Sequence, residues 1–166
     1  DTQPAKLALP TIALLESAVQ SSRGPFMDGL SLQDAPAFDE WLAIQRTNWG
    51  HRQNQIYDRL SLHQLENHLI QPAIETVIRW IVLDHLNEVA YQRLMRLHFL
   101  NGNRSEALKA YETCREVLSH ELGITPSLET EEALAYVRSS QVSARVAESE
   151  MEAREALHIP FVGRSN

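Results

Sequence analysis

The chain has 166 residues, 43% of them apolar and 22% charged, with 6 Gly and 7 Pro, which excludes the collagen-like and disordered classes. A single domain of this length buries roughly 70% of the surface its unfolded chain exposes, enough for a core without metals or disulfides. Fifteen Lys and Arg against 22 Asp and Glu leave a net charge of −7, so the basic face that holds nucleic acid by its phosphates is not expected. Its short basic clusters, Arg93 with Arg96 and Arg52 with Arg59, stand near Asp58, Glu88 and Glu106. The single cysteine, Cys114, cannot form an internal disulfide and points to a reducing cytoplasm. No stretch approaches the roughly 18 apolar residues of a membrane span, and no signal peptide opens the chain.

Helical periodicity dominates, and no run alternates over strand length. A first helix is predicted at 11–21, with Ile12, Leu15 and Val19 on one side. Gly24, Pro25, Gly29 and Pro36 punctuate a loop over 22–36, and Pro36 suits the first turn of the next helix, where its missing N–H costs nothing. That helix is predicted over 36–68, with Phe38, Trp41, Leu42, Trp49, Ile56, Leu60 and Leu65 as its apolar side. Further helices are predicted at 71–84, 87–101, 104–122 and 127–155. Gly102 and Gly123 fall just past helix ends, where left-handed backbone is needed. Ser127 is placed to cap the last helix with its hydroxyl.

Two segments repeat at a spacing of 34 residues, which brings Tyr57 onto Tyr91, Leu60 onto Leu94, Asn67 onto Asn101 and Ala73 onto Ala107. This is the period of a tetratricopeptide-type helix pair, in which a small residue lets the second helix approach the first closely. His68 stands in the first copy where Gly102 stands in the second, so a helix junction of different angle is expected there. The expected fold is an all-α array of two such antiparallel pairs flanked by an N-terminal and a C-terminal helix.

Two blocks carry a more specific likeness. The first is Arg23-Gly24-Pro25-Phe26-Met27-Asp28-Gly29-Leu30, then Asp34-Ala35-Pro36, Glu40-Trp41-Leu42 and Arg46. The second is Leu94-Met95-Arg96-Leu97, Gly102, Ala107-Leu108, Tyr111, Cys114-Arg115, Leu118, Glu121-Leu122-Gly123 and Pro126. Together they resemble the bacterial transcriptional activation domain of SARP-type regulators. The closing run Ile159-Pro160-Phe161-Val162-Gly163-Arg164 resembles the lead-in to a STAND-type ATPase, whose phosphate loop is absent from the chain. The resemblance implies a domain at 1–138, a helix extension at 139–157 and a linker toward an ATPase at 158–166. It also implies a module for dimerisation and activation, with DNA contacted only through a winged-helix domain that this chain does not contain. The expected partners are proteins, either a second copy in a homodimer or the transcription machinery, with no membrane.

Catalytic, cofactor and metal sites are not expected. His63 and His68 are five apart, and no histidine meets another His or Cys at the spacing that places two ligands on one helical face. Cys114 lies on an apolar helix side, as a buried inert thiol does. No G-x-S-x-G or G-x-x-x-x-G-K occurs, and pairs such as Glu131-Glu132 lack an apolar pocket that would raise an acid's pKa. The candidate partner surface is Arg46, Trp49 and Arg52, in a stretch where Trp49 is the only large apolar residue. These three, with Gln53, are spaced three or four apart, and Trp and Arg dominate binding hot spots. The competing reading sends Trp49 to the core and leaves the rest as a wet helix face. A generic peptide-binding repeat scaffold, not tied to transcription, is the alternative function.

The apolar stripe thins beyond Ser139 and Pro160 ends helical geometry, so 158–166 should add little to the domain. A chain ending at Leu157 is expected to keep its urea stability within about 0.5 kcal/mol. A loss above about 2 kcal/mol would make Phe161 a core residue.

Overall fold

The computed structural model describes residues 9–22, 24, 26–32 and 35–139. Among them are α1 (Leu9–Ser21), α2 (Pro36–Glu66), α3 (Ile70–Leu83), α4 (Glu88–Leu100) and α5 (Arg104–Leu122). A sixth helix, α6, follows over 128–139, and no strand occurs among the described residues. The fold is the expected all-α array. The helix expected to run on to 155 and the linker at 158–166 lie, from residue 140, outside the described residues.

Neighbours in sequence pack against each other from α1 through α5. One cluster joins Val19 of α1 to Tyr57, Leu60 and Leu65 of α2, to Ala73, Val77 and Trp80 of α3, and to Ala90 and Leu97 of α4. A second joins Met95 of α4 to Ala107, Ala110 and Tyr111 of α5 and to Leu134 and Val137 of α6. Thus α4 has core on both sides, which explains why Ala90, Met95 and Leu97 are all fully buried.

The repeat is reproduced bond for bond at its turns. Leu69 N–H donates to the Gln64 carbonyl at 2.8 Å and His68 N–H to that of Leu65 at 3.0 Å. Thirty-four residues on, Asn103 N–H donates to His98 at 2.8 Å and Gly102 N–H to Phe99 at 3.0 Å. Both pairs are the Schellman closure of a helix end, which needs a left-handed residue one place beyond the cap. Gly102 supplies it at φ 76°, and His68 adopts it at φ 59°. The turn geometry is thus the same in both copies, and His68 bears backbone strain to keep it. Gly123 ends α5 in the same left-handed region, as read from the sequence.

The polar lining of α2 departs from the sequence reading. Gln53, Ser61 and Gln64 are buried, whereas Trp41 and Trp49, assigned to the apolar side, are 46% and 40% exposed. Length explains the tryptophans. The turn at 67–69 lets the 14-residue α3 reach back along the 31-residue α2 only to about residue 53, so the first half of α2 overhangs the helix pair. Gln53 and Ser61 are accommodated because they are bonded. Arg93 Nη2 meets Asp58 at 2.7 Å and its Nη1 donates to Ser61 Oγ at 3.3 Å, tying α4 to α2. Buried Trp80 donates its indole N–H to Asn54 Oδ1 at 2.7 Å, and Asn54 donates on to Asp84 at 2.9 Å. Among the described residues, Gln64 Oε1 and His98 Nδ1 are buried without a hydrogen-bond partner, and they occupy equivalent places 34 residues apart.

Three substitutions check this packing. Ala107→Leu is expected to cost about 1–3 kcal/mol by overpacking the α4–α5–α6 contact, while Ala135→Leu on the exposed side of α6 should change little. Equal urea midpoints for Ala107→Leu and the unaltered chain would remove Ala107 from the core. His68→Gly should stabilise by about 0.5–1 kcal/mol, because relief of the left-handed strain exceeds the entropy that glycine adds to the unfolded chain.

Candidate protein-interaction surface

The overhanging half of α2 is covered on one side by the segment that precedes it. Arg46 projects its guanidinium onto three carbonyls of that segment, Phe26 at 3.1 Å, Met27 at 2.7 Å and Leu30 at 3.1 Å. One turn on, Trp49 meets the Phe26 ring at 6.2 Å between centroids. A further turn on, Gln53 donates to Ser22 Oγ at 2.6 Å and to the Gly24 carbonyl at 3.4 Å. Residues 46, 49 and 53 share a helix side, so one stripe holds the segment along its length. Beneath it Leu42 is only 1% exposed. Met27 sits at φ 49° and Gly29 at φ 74°, the backbone that this tight reversal requires.

The structure thus divides the sequence-predicted trio. Arg46 commits its Nε and Nη2 donors within the chain, Trp49 is shared between Phe26 and solvent, and Arg52 is exposed beside the stripe. The opposite side of the overhang carries Trp41 and Ile44, both about half exposed, with Phe38 5.7 Å from Trp41 between ring centroids. Met27, Leu30 and Leu32 are exposed on the neighbouring segment. Sequence reasoning missed Trp41 and Ile44 as surface residues. Their signal was the length of α2 against α3, which leaves the overhang without a helical partner.

A second concave feature lies between α4 and α6, a groove of about 560 Å³ lined by Val89, Gln92, Arg96, Leu100 and Tyr136 among others. Gln92 of the lining joins a polar junction at the start of α6. Glu88 Oε2 accepts from Ser127 N–H and Ser127 Oγ, each at 2.8 Å, and from Thr130 Oγ1 at 2.6 Å. Gln92 donates to Thr130 Oγ1 at 2.9 Å. The Ser127 hydroxyl therefore donates to Glu88 instead of accepting from the first helical turn, while its carbonyl accepts from Thr130 and Glu131 N–H. At the far end Arg104 donates to the carbonyls of Val137 and Arg138 at 2.9 and 3.2 Å.

Titratable groups follow these contacts. Burial alone pushes the Glu88 carboxyl up, but its bonds from Thr130 and Ser127 outweigh that and hold it below the usual value. Burial lowers His98. The bond to Glu131, with burial, pushes the Tyr111 hydroxyl up to about 12. Burial pushes the Cys114 thiol up to about 12, which keeps it protonated and unreactive at neutral pH. Among the described residues no group of His, Cys, Asp and Glu is placed to hold a metal ion, and no helix is long and apolar enough to cross a membrane.

The family model of the bacterial transcriptional activator domain matches residues 5–138, and the chain belongs to that family. No curated protein and no solved structure matches it. The family is one of regulatory domains, not of enzymes, and its members serve transcription regulation.

Acid should loosen the domain in two steps. The unfolded chain binds the His98 proton first, so that contribution is complete above pH 6.5 and falls away as the pH drops toward the lower folded value. The Glu88 contribution is complete above pH 4.5 and is lost as the pH falls through its depressed folded value. Urea midpoints followed against pH should lose the upper step in His98→Asn and the lower step in Glu88→Gln.

Proposed function

We propose that this chain is the protein–protein interaction module of a bacterial transcription regulator, acting in the cytoplasm by self-association or by contact with the transcription machinery. DNA is reached only through a separate winged-helix domain. Within this reading residues 1–138 form the interaction domain, 139–157 extend its last helix, and 158–166 link it to an ATPase domain. The observation that supports the reading is the apolar surface on the overhanging half of α2. Trp41 and Ile44 are exposed there on one side of the helix, and Trp49 on the other, beside Met27, Leu30 and Leu32 of the preceding segment. Exposed apolar residues gathered in one place mark interaction sites, and Trp with Arg supplies the strongest anchors. In this arrangement Arg46 holds the segment in position, while Trp49 and Arg52 reach the partner.

The test fuses the chain to an unrelated DNA-binding domain that drives a reporter, and follows its sedimentation over a concentration series. A double variant, Ile44→Ser with Arg52→Glu, alters the exposed side of the helix and leaves the Trp41–Phe38 contact in place. It is expected to lower reporter output or weaken self-association while the helical signal and urea midpoint stay unchanged. Equal output and equal sedimentation for the two chains would overturn the proposal.

A further inference from the structure

We propose that the groove between α4 and α6 is a second docking site, and that its occupant is an acidic amphipathic peptide segment of another protein. The proposal deepens the reading of the chain as an interaction module by naming a partner chemistry at a separate face.

The walls of the groove are apolar. Val89 and Leu100 mark its two ends on α4, and Tyr136 and Val137 stand opposite on α6. Val89, Leu100 and Tyr136 are each about half exposed, so apolar surface is presented along the helix and not buried beneath it. Val89, Arg93, Arg96 and Leu100 follow one another at helical spacing, which sets the two arginines between the two apolar ends. A volume of about 560 Å³ falls in the range of sites that enclose several side chains of a ligand.

Charge selects the occupant. The chain carries 22 acidic and 15 basic residues, yet among the described residues that line this groove there are two arginines and no carboxylate. Arg93 is neutralised from the side by Asp58 at 2.7 Å, whereas Arg96 is exposed within the lining. Among the described lining residues one positive charge is thus left between apolar walls, in a molecule whose net charge repels acids in general. A segment that alternates apolar side chains with carboxylates satisfies both features, and a basic segment or an uncharged one satisfies only the walls. Both walls are also fixed. The Glu88 junction pins the start of α6 to α4, and Arg104 pins the carbonyls of 137 and 138 to α5, so little ordering is left for binding to impose.

The experiment titrates the full 166-residue chain into a short fluorescein-labelled peptide with Leu at every third or fourth position and Asp and Glu between. Its comparators replace every carboxylate by the amide or by Lys. Anisotropy should rise with the acidic peptide, and the amide peptide should bind at least about tenfold more weakly. Amide chemical shifts should move along α4 and α6. Arg96→Glu, and independently Val89→Asp at the other end of the groove, should each weaken the acidic peptide at least about tenfold with an unchanged urea midpoint, and Arg96→Lys should retain most of the affinity. Equal affinity for the acidic and amide peptides, or indifference to both variants, would overturn the proposal. So would a change in sedimentation on Arg96→Glu without a change in peptide affinity, which would give this face to a second copy. Reporter output plays no part in this measurement, so failure here is distinct from failure of the transcription reading.

Discussion

The closeness with which helices of this chain approach one another governs the rest of the structure. At Ala73, Ala90 and Ala107 the side chain is a single methyl with no exposed surface, and a bulkier residue there would separate the helices that meet at it. That approach holds only if the chain reverses in very few residues. The reversal in turn demands a left-handed residue just past each helix end. The first pair meets this requirement with a histidine, at a cost in backbone strain that the shared core of α1, α2 and α3 offsets. Close approach and the short turn are thus one constraint seen at two places.

From that constraint follows the division of the molecule into a packed body and two outward-facing surfaces. Because α3 is less than half the length of α2, the pair closes early and the first half of α2 stands clear. The preceding segment covers one side of it by polar means, with a guanidinium on three carbonyls and a carboxamide on a hydroxyl and a fourth. Such bonds direct a backbone path that contains two positive-φ residues better than apolar packing would, since packing is not directional. At the other end the Glu88 junction does the same for α6. A carboxylate receiving three hydrogen bonds at a helix start fixes where that helix begins.

The two surfaces differ in character. On α2 and its covering segment, large apolar side chains project outward on a convex edge, as a surface that meets a broad partner does. Between α4 and α6 the apolar groups line a concave channel with an arginine in it. On the proposed reading, the convex surface would meet a protein and the groove a peptide.

The sequence by itself determined the helices, their order and the pairing of α2–α3 and α4–α5. Those depend on local propensity, on turn residues such as Pro36, Gly102 and Gly123, and on a spacing that repeats. The family was also legible, because the blocks around Arg23–Arg46 and Leu94–Pro126 retain specific residues. What the surface residues do was decided only by tertiary structure. Arg46 and Arg52 are alike in sequence, yet one holds three backbone carbonyls and the other is exposed, because only the fold sets residues 26–30 beside the first. His68 could not be recognised as left-handed from its type, since the requirement arises from the helix approach beyond it. Trp41 and Gln53 exchanged their expected places for a similar reason. Periodicity reports which residues share a side, but which side is covered depends on where the neighbouring helices end.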